Sequence, residues 1–366
     1  MKRKWVLILI GTVLLPALVL AAAAWELRRF AARPAGEAGA DVVLTIPSGQ
    51  PLSATAAELE RLGVIRSALK FRILARWDGY DRRLKAGEYA FSPVSTPLEI
   101  LNTMAKGLVV LHRVTIPEGL TIPQIADVIE RTGLAKASDI VARATDPAQA
   151  LANGVSADNL EGYLFPETYL FPKSVTPEGI LAAMVARFHA VFTPEWQLRA
   201  GEIGLTPQQA VTLASIVEKE TGDPSERPLI SSVFHNRLKR GMRLETDPTV
   251  IYGLKNFDGN LTRRHLETPT PYNTYTIKGL PPGPIANPGK ESLRAALFPA
   301  QTDYLYFVSK NNGTHQFSTN LTDHNKAVHR YQVAAHAGAP PRDPPASRPP
   351  AGAASAGARG DAQESQ

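Results

Sequence analysis

The sequence predicts an α+β protein on a single N-terminal membrane helix, with a small α+β module ahead of a larger α+β domain. Three observations point there: a long uncharged apolar run near the start, a gapless internal repeat of strand, turn and helix, and a change after residue 155 to longer helices and proline-punctuated loops.

The apolar run comes first. MKRK at 1–4 is followed by WVLILIGTVLLPALVLAAAAW, uncharged from Trp5 to Trp25. At about 1.5 Å per residue such a run crosses a hydrocarbon core, and tryptophan at both ends suits the two interfaces. Basic residues flank both sides (Lys2, Arg3 and Lys4, then Arg28, Arg29 and Arg33), so the positive-inside rule sets orientation only weakly. Two readings stand: an uncleaved anchor at 5–25, or a signal peptide cut at the alanine run. A usual signal core has roughly 7–15 apolar residues. The longer run here favours the anchor, with 1–4 cytoplasmic and the bulk exported. Residues 26–40, ELRRFAARPAGEAGA, read as a polar linker.

The repeat follows. TIPSGQPLSATAAELERLG at 45–63 aligns without gaps on TIPEGLTIPQIADVIERTG at 115–133, an offset of 70 residues with eight of nineteen positions identical. Each copy predicts a short β-branched strand, a Pro-x-Gly turn and an amphipathic helix stopped by Gly63 or Gly133. Between them, LKAGEYAFSPVSTPLEILNTMAKG predicts another strand and a helix capped by Thr96. Residues 41–150 thus form a small α+β module with two related halves, serving either as a spacer or as a carbohydrate binder.

From about 155 the chain reads as a second domain, 155–335. GYLFPETYLFP at 162–172 is aromatic and broken by proline, and a helix is predicted near 176–192. The next helix has a full start signal: Thr206 as N-cap, Pro207 at the first position and Gln209 at the third. It stops at Thr221-Gly222, with Pro224 beyond. PLISSVFHNRLKRG at 228–241 predicts another helix with a glycine stop. Residues 243–290 are rich in Pro, Thr, Tyr, Asn and Gly with little periodicity. YLYFVSK-NNG-THQFS predicts a hairpin turning at Asn312-Gly313, and a last helix lies near 321–335. The Ala/Pro/Gly/Arg-rich remainder, 337–366, has the composition of a disordered tail.

Composition excludes several classes. Net charge is +6 and the isoelectric point about 9.4, which favours anionic membranes or polymers. The basic residues are spread along the chain, without the dense aromatic-interleaved block that nucleic acid binding calls for. There is no cysteine, which removes disulfides, cysteine-zinc sites and thiol catalysis together. His265, His315, His324 and His329 lack zinc-ligand spacing. No G-x-S-x-G, Walker A or G-x-G-x-x-G motif is present, and Ser215 has no nucleophile-elbow context. No metal or cofactor is expected.

The candidate chemistry lies in VTLASIVEKETG at 211–222. On a helical wheel Val211, Ala214, Ser215 and Glu218 share one face, and Glu220 falls about 200° from Glu218. An apolar setting disfavours a charged carboxylate, which suits a general acid working near neutral pH. The competing reading is a solvated glutamate in the last turn of a helix. HNRLKRGMRLETDPTVIYG at 235–253 and ETPTPYNTYTIKGLPPGPIANPG at 267–289 carry amide, hydroxyl and tyrosine groups that suit sugar rings. From side-chain chemistry, Asn236, Arg237, Asp247, Tyr272, Asn273 and Tyr275 are the candidate substrate contacts beside Glu218. Arg237 and Asp247 alternatively pair to brace the groove, and the whole segment alternatively is a proline-rich structural loop.

ASIVEKET, SVFHNRLKRGMRLETDPTVIYG, LETPTPYNTYTIKGLPPGPIANPG and YLYFVSKNNGTHQFSTNLTDHNK closely resemble the endolytic murein transglycosylases of the YceG-like family. The likeness covers most of 40–335 and is densest over 207–330. It implies a bacterial inner-membrane protein with one N-terminal anchor, a LysM-like module and a periplasmic catalytic domain. Such an enzyme cleaves nascent peptidoglycan glycan strands and ends their elongation, with peptidoglycan synthases as candidate partners. The family's catalytic glutamate is the first of the E-K-E, which is Glu218 here. The tail after 337 lies outside the resemblance. Ordinary glycosidases use two carboxylates, whereas a lytic transglycosylase manages with one, because the muramyl C6 hydroxyl closes a 1,6-anhydro ring. Two other classes remain open: a muramidase with Asp247 or Glu267 as second carboxylate, and a non-catalytic wall-binding scaffold.

Overall fold

The computed structural model describes residues 2–254 and 257–333; the tail expected to be disordered lies outside them. Internal contacts divide the chain into two units, Met1–Asp303 and Tyr304–Gln366.

The first unit opens with α1 (Lys2–Ala31), which contains a stretch, Gly11–Ala31, long and apolar enough to cross a membrane. The helix does not stop at Trp25. Glu26 to Ala31, expected as linker, continue it, because no Pro or Gly interrupts the chain until Pro34. Phe30 and Ala31 are buried in the first core, so the helix is built into the domain that follows.

That domain is β1 (Val42–Ile46), α2 (Leu52–Arg61), α3 (Ala68–Trp77), β2 (Gly87–Phe91) and α4 (Pro97–Lys106). β1 and β2 pair antiparallel, Val42 opposite Phe91 and Ile46 opposite Gly87. α4 starts at the expected Thr96, whose hydroxyl accepts from Glu99 N at 3.2 Å while Glu99 returns a bond to Thr96 N at 2.8 Å. Phe71, Tyr89, Ile100, Leu101 and Met104 fill the core with no exposed surface.

The second copy comprises β3 (Leu111–Thr115), α5 (Ile122–Arg131), α6 (Ala137–Ala144), α7 (Pro147–Ala152), β4 (Thr168–Pro172) and α8 (Pro177–Val191). β3 pairs with β4, Leu111 opposite Pro172 and Thr115 opposite Thr168. The repeat therefore continues past residue 150, since β4 and α8 stand to β3 as β2 and α4 stand to β1. Side chains repeat with the backbone. Tyr89 stacks on Phe91 and Tyr169 on Phe171, both at 5.7 Å between ring centroids. The Tyr89 hydroxyl donates to Lys85 O at 2.7 Å, and that of Tyr169 to Phe165 O at 2.6 Å. Gly63 and Gly133 end the matching helices at φ +73° and +71°, where a side chain is strained.

After α9 (Pro194–Glu202) come α10 (Pro207–Glu220), a short 3₁₀ turn at Pro224–Glu226, α11 (Arg227–Lys239), α12 (Asp247–Gly253), α13 (Arg263–Glu267) and α14 (Lys290–Leu297). α10 packs against α11 and α14, and those two pack on each other. All residues from Ala210 to Val217 are buried, so α10 is a core helix and not a surface helix with one apolar face.

In the second unit, β5 (Tyr306–Ser309) and β6 (His315–Ser318) form the expected hairpin, followed by α15 (Leu321–Val328) and a π-helical turn at His329–Val333. The turn takes in Asn311 as well as Asn312-Gly313. Asn311 and Gly313 have φ of 62° and 88°, and Lys310 N donates to Thr314 O at 2.9 Å. The loop between the strands is thus three residues, Asn311 to Gly313, one more than the two-residue turn expected.

Because the tyrosine hydroxyls tie each second strand to the turn before it, Tyr89→Phe and Tyr169→Phe should each lose about 0.5–1.5 kcal/mol in urea unfolding. The loss should be larger for Tyr89, which has no exposed surface. Two unchanged midpoints would show that the rings alone hold these strands.

Candidate functional site

α10 carries Glu218 to a junction of three segments. The helix starts as expected: Gln209 N donates to Thr206 Oγ1 at 3.2 Å and Thr206 N to Gln209 Oε1 at 2.9 Å. It ends at Thr221, whose hydroxyl bonds back to Val217 O at 2.6 Å. The Glu218 side chain is only 8% exposed. Its Oε2 accepts from Gly289 N at 3.0 Å, at the N-cap of α14, where the helix dipole favours negative charge. Its Oε1 lies 3.4 Å from Arg227 Nη2, at the first position of α11. Among the described residues these are its hydrogen-bond partners.

A second carboxylate shares that guanidinium. Arg227 Nη2 also donates to Glu118 Oε2 at 3.2 Å. Glu118 comes from the Pro-x-Gly turn between β3 and α5. Partial burial, and then the nearby Glu218 charge, hold its carboxyl above the usual range against the pull of Arg227. The turn is fixed from two sides: Lys219 Nζ donates to Gly119 O at 3.1 Å, and Gly119 N donates to Asn287 O at 2.9 Å. A Cβ at Gly289 would stand 1.9 Å from Glu118 Oε1, so a side chain there would push the Glu118 carboxylate from its place beside Arg227.

Beneath the carboxylates lies a buried polar hub. Asn287 has no exposed surface; its Nδ2 donates to Leu120 O at 2.9 Å and to Glu161 Oε1 at 2.8 Å, and its Oδ1 accepts from Leu164 N at 2.8 Å. Glu161 is 2% exposed and accepts from Ile122 N, at the start of α5, and from the Tyr252 hydroxyl, each at 3.2 Å. Burial pushes its carboxyl up to about 7, against the lowering effect of the bonds from Ile122, Tyr252 and Asn287. Ser215 Oγ, hidden on the core side of α10, accepts from Ile285 N at 3.0 Å and ties the 284–289 segment to the helix.

The six expected substrate contacts have partners of their own. Asn236 and Arg237 are near the far end of α11, about 13–15 Å along the helix from Arg227. The Asn236 amide donates to Thr302 O at 2.8 Å. Arg237 Nη1 donates to Arg243 O at 3.1 Å and Leu244 O at 2.9 Å, and meets Glu245 Oε2 at 3.1 Å. It braces the turn after α11. Asn273 is fully buried, with its amide bonded to the carbonyls of His265, Leu266 and Thr268. The Tyr275 hydroxyl donates to Asp247 Oδ1 at 2.7 Å, and the Tyr272 ring leans on Tyr252 at 4.9 Å. Asp247 and Tyr275 group with Glu220, which accepts from the Thr246 hydroxyl. Glu220 thus faces a different wall from Glu218, as the wheel requires.

Sequence reasoning missed Glu118, Arg227, Glu161, Asn287 and Gly289. Only Glu118 had a legible signal: it replaces Ser48 in otherwise matched Thr-Ile-Pro-x-Gly turns. Among the described residues, no group of His, Asp and Glu is placed to hold a metal ion.

These features define a class of chain: a helix able to cross a membrane, a doubled strand–helix–helix–strand unit, and a nearly buried glutamate where a core helix meets the second copy's turn. Comparison with known proteins agrees. The chain belongs to the YceG-like family, whose profile matches residues 44–330. It is 35% identical over 307 residues to the endolytic murein transglycosylase of Bacillus subtilis, covering 79% of this chain and 84% of that one. It is 30% identical over 319 residues to the protein of the same name in Streptococcus pneumoniae, covering 78% of this chain and 58% of that longer one. A crystal structure of a yceG-like protein from Listeria monocytogenes matches with a TM-score of 0.55 and 36% identity, covering 78% of this chain and 98% of that one.

Glu161 gives the site a pH signature. Its folded value, about 7, stands above its ordinary 4.5, so folding takes up a proton between those values and stability falls as pH rises through that window. Glu161→Gln, neutral throughout, should make the decline shallower by up to about 3 kcal/mol. Urea unfolding at the two ends of the window measures it; an unchanged slope would place the titration on another group.

Proposed function

We propose that the protein is an endolytic murein transglycosylase, cleaving peptidoglycan glycan strands between MurNAc and GlcNAc with Glu218 as its acid and base. The observation that carries this reading is Glu218, the first glutamate of the E-K-E in a chain of this family, 8% exposed and held between the N-cap of α14 and Arg227. Fixed partners on both oxygens orient the carboxyl, and exclusion of water strengthens every charge interaction it makes.

The chemistry needs no outside nucleophile. Protonated Glu218 donates to the glycosidic oxygen as the muramyl C1–O bond breaks. Its carboxylate then takes the proton from the muramyl C6 hydroxyl as O6 closes on C1. The proton count at Glu218 is restored, and the product is a 1,6-anhydro-muramyl end, lighter than the hydrolysis product by one water. Arg227 and Gly289 N–H stabilise the carboxylate that exists between the two transfers.

The setting follows from the family and from α1. We place the chain in the bacterial inner membrane as a single-pass protein, with the bulk in the periplasm at sites of new glycan, where it terminates strand elongation. The strand–helix–helix–strand order of both halves supports reading the 41–150 region as LysM-like and glycan-binding. Asp247, Tyr272 and Tyr275 keep exposed or partly exposed positions and remain the proposed outer wall of the glycan groove.

One observation favours a second reading. Glu118 shares Arg227 with Glu218, which supplies the two carboxylates a muramidase requires. Among the described residues Asp247 bonds to Tyr275 and Glu267 to Arg263.

Glu218→Gln should retain the fold and lose about 10²–10⁴-fold in release of soluble fragments from uncrosslinked glycan strands. Glu118→Gln should lose less, since it removes a charge beside the acid and not the acid. Wild-type turnover by a folded Glu218→Gln protein would remove Glu218 from the mechanism.

A further inference from the structure

The two copies of the repeat show solvent different faces. On α6 the outward residues are Ser138, Asp139, Ala142 and Arg143. On α3 they are Leu69, Arg72, Ile73, Arg76 and Trp77, one continuous helical stripe. Leu69, Ile73 and Trp77 are 63%, 46% and 76% exposed. An apolar stripe interleaved with arginine and ending in tryptophan has the composition of a membrane-interface helix. It occurs only in the copy fused to α1.

The packing of α1 on α3 gives the stripe a direction. Arg66 Nε donates to Ala35 O at 3.3 Å, and Lys70 Nζ meets Glu26 Oε1 at 2.6 Å. Advancing from Arg66, just before α3, to Lys70 in its first turn therefore retreats along the N-terminal chain from Ala35 to Glu26, toward the uncharged run that ends at Trp25. α3 runs on toward the bilayer side, and Trp77 lies about 10 Å beyond Lys70 at 1.5 Å per residue. That sets it up to about 10 Å past the level of Glu26 toward the apolar run, the depth of an interfacial side chain. The buried Phe30 and Ala31 lock the two helices into one core, so α3 cannot leave the surface while α1 spans it.

We infer that the outward face of α3 lies in the membrane interface, with Trp77 deepest, Ile73 above it, and Arg72 and Arg76 on anionic lipid headgroups. The inference rests on α1 being a membrane anchor. The face would hold the first copy of the repeat flat against the bilayer, where a lone helix would leave it free to swing.

The cysteine-free sequence makes the test direct. Full-length Leu18→Cys, Ile73→Cys, Trp77→Cys and Ser138→Cys proteins, each carrying a bimane label, are reconstituted in vesicles of phosphatidylcholine with phosphatidylglycerol. Quenching by nitroxide lipids is then read at each position. The expected order is strong quenching at 18, then 77, then 73, each several-fold above 138, with the signals at 73 and 77 falling when Arg72 and Arg76 are changed to Glu. Quenching at 18 with none above 138 at 73 and 77 would leave the anchor intact and overturn the inference. Labels at 73 and 77 shielded from aqueous iodide yet unquenched by lipid would mean a protein covers the face, and would overturn it too. Absence of quenching at 18 would remove the anchor and the inference together.

Discussion

A buried amide at Asn287 joins segments that lie far apart in the sequence. Its side chain and backbone bond to Gly119 and Leu120 from the second copy's turn, to Leu164, and to the Glu161 carboxyl. Once these bonds form, the turn bearing Glu118 and the α14 N-cap bearing Gly289 have one arrangement around the end of α10. A buried polar network of this kind is costly when any partner is missing, which makes the arrangement specific. Glu218 inherits its surroundings from that network. Only the carbon stem of its side chain is set by α10 itself.

This explains which parts of the protein were legible in the sequence. Local rules held where local physics decides: Thr96 and Thr206 cap the helices they announce, and Gly63 and Gly133 stop theirs. The wheel separated Glu218 from Glu220 correctly, because helix geometry needs no tertiary knowledge. The expected glycan contacts were chosen for side-chain chemistry, and chemistry does not say where a group points. Asn273 and Arg237 use their donors on nearby carbonyls of irregular segments, whose buried backbone groups need partners. Arg227 and Asn287 acquire meaning only through contacts with distant residues, and no spacing rule reports those.

The repeat carries a related lesson. The gapless match over 45–63 and 115–133 is the well-preserved part of a longer duplication. Its later half survives as Tyr89 and Phe91 against Tyr169 and Phe171, and as Thr96-Pro97 against Thr176-Pro177. The insertion of α7 obscures the common offset. The copies have diverged in what their turns and outer faces do. Ser48 remains a simple turn residue in the copy nearest the apolar helix, while its counterpart Glu118 reaches Arg227. One duplicated unit thus packs on the N-terminal apolar helix, and the other contributes a wall of the Glu218 site.

The central claim is that one carboxylate suffices because the substrate supplies the nucleophile, and its most direct test is the oxygen at the new glycan ends. Uncrosslinked strands digested by the wild-type protein in ¹⁸O-labelled water, then analysed by mass spectrometry before and after borohydride, report that oxygen. The account predicts unlabelled, borohydride-resistant 1,6-anhydro ends. Labelled, reducible ends would contradict it, and would give Glu118 the place of a second catalytic carboxylate.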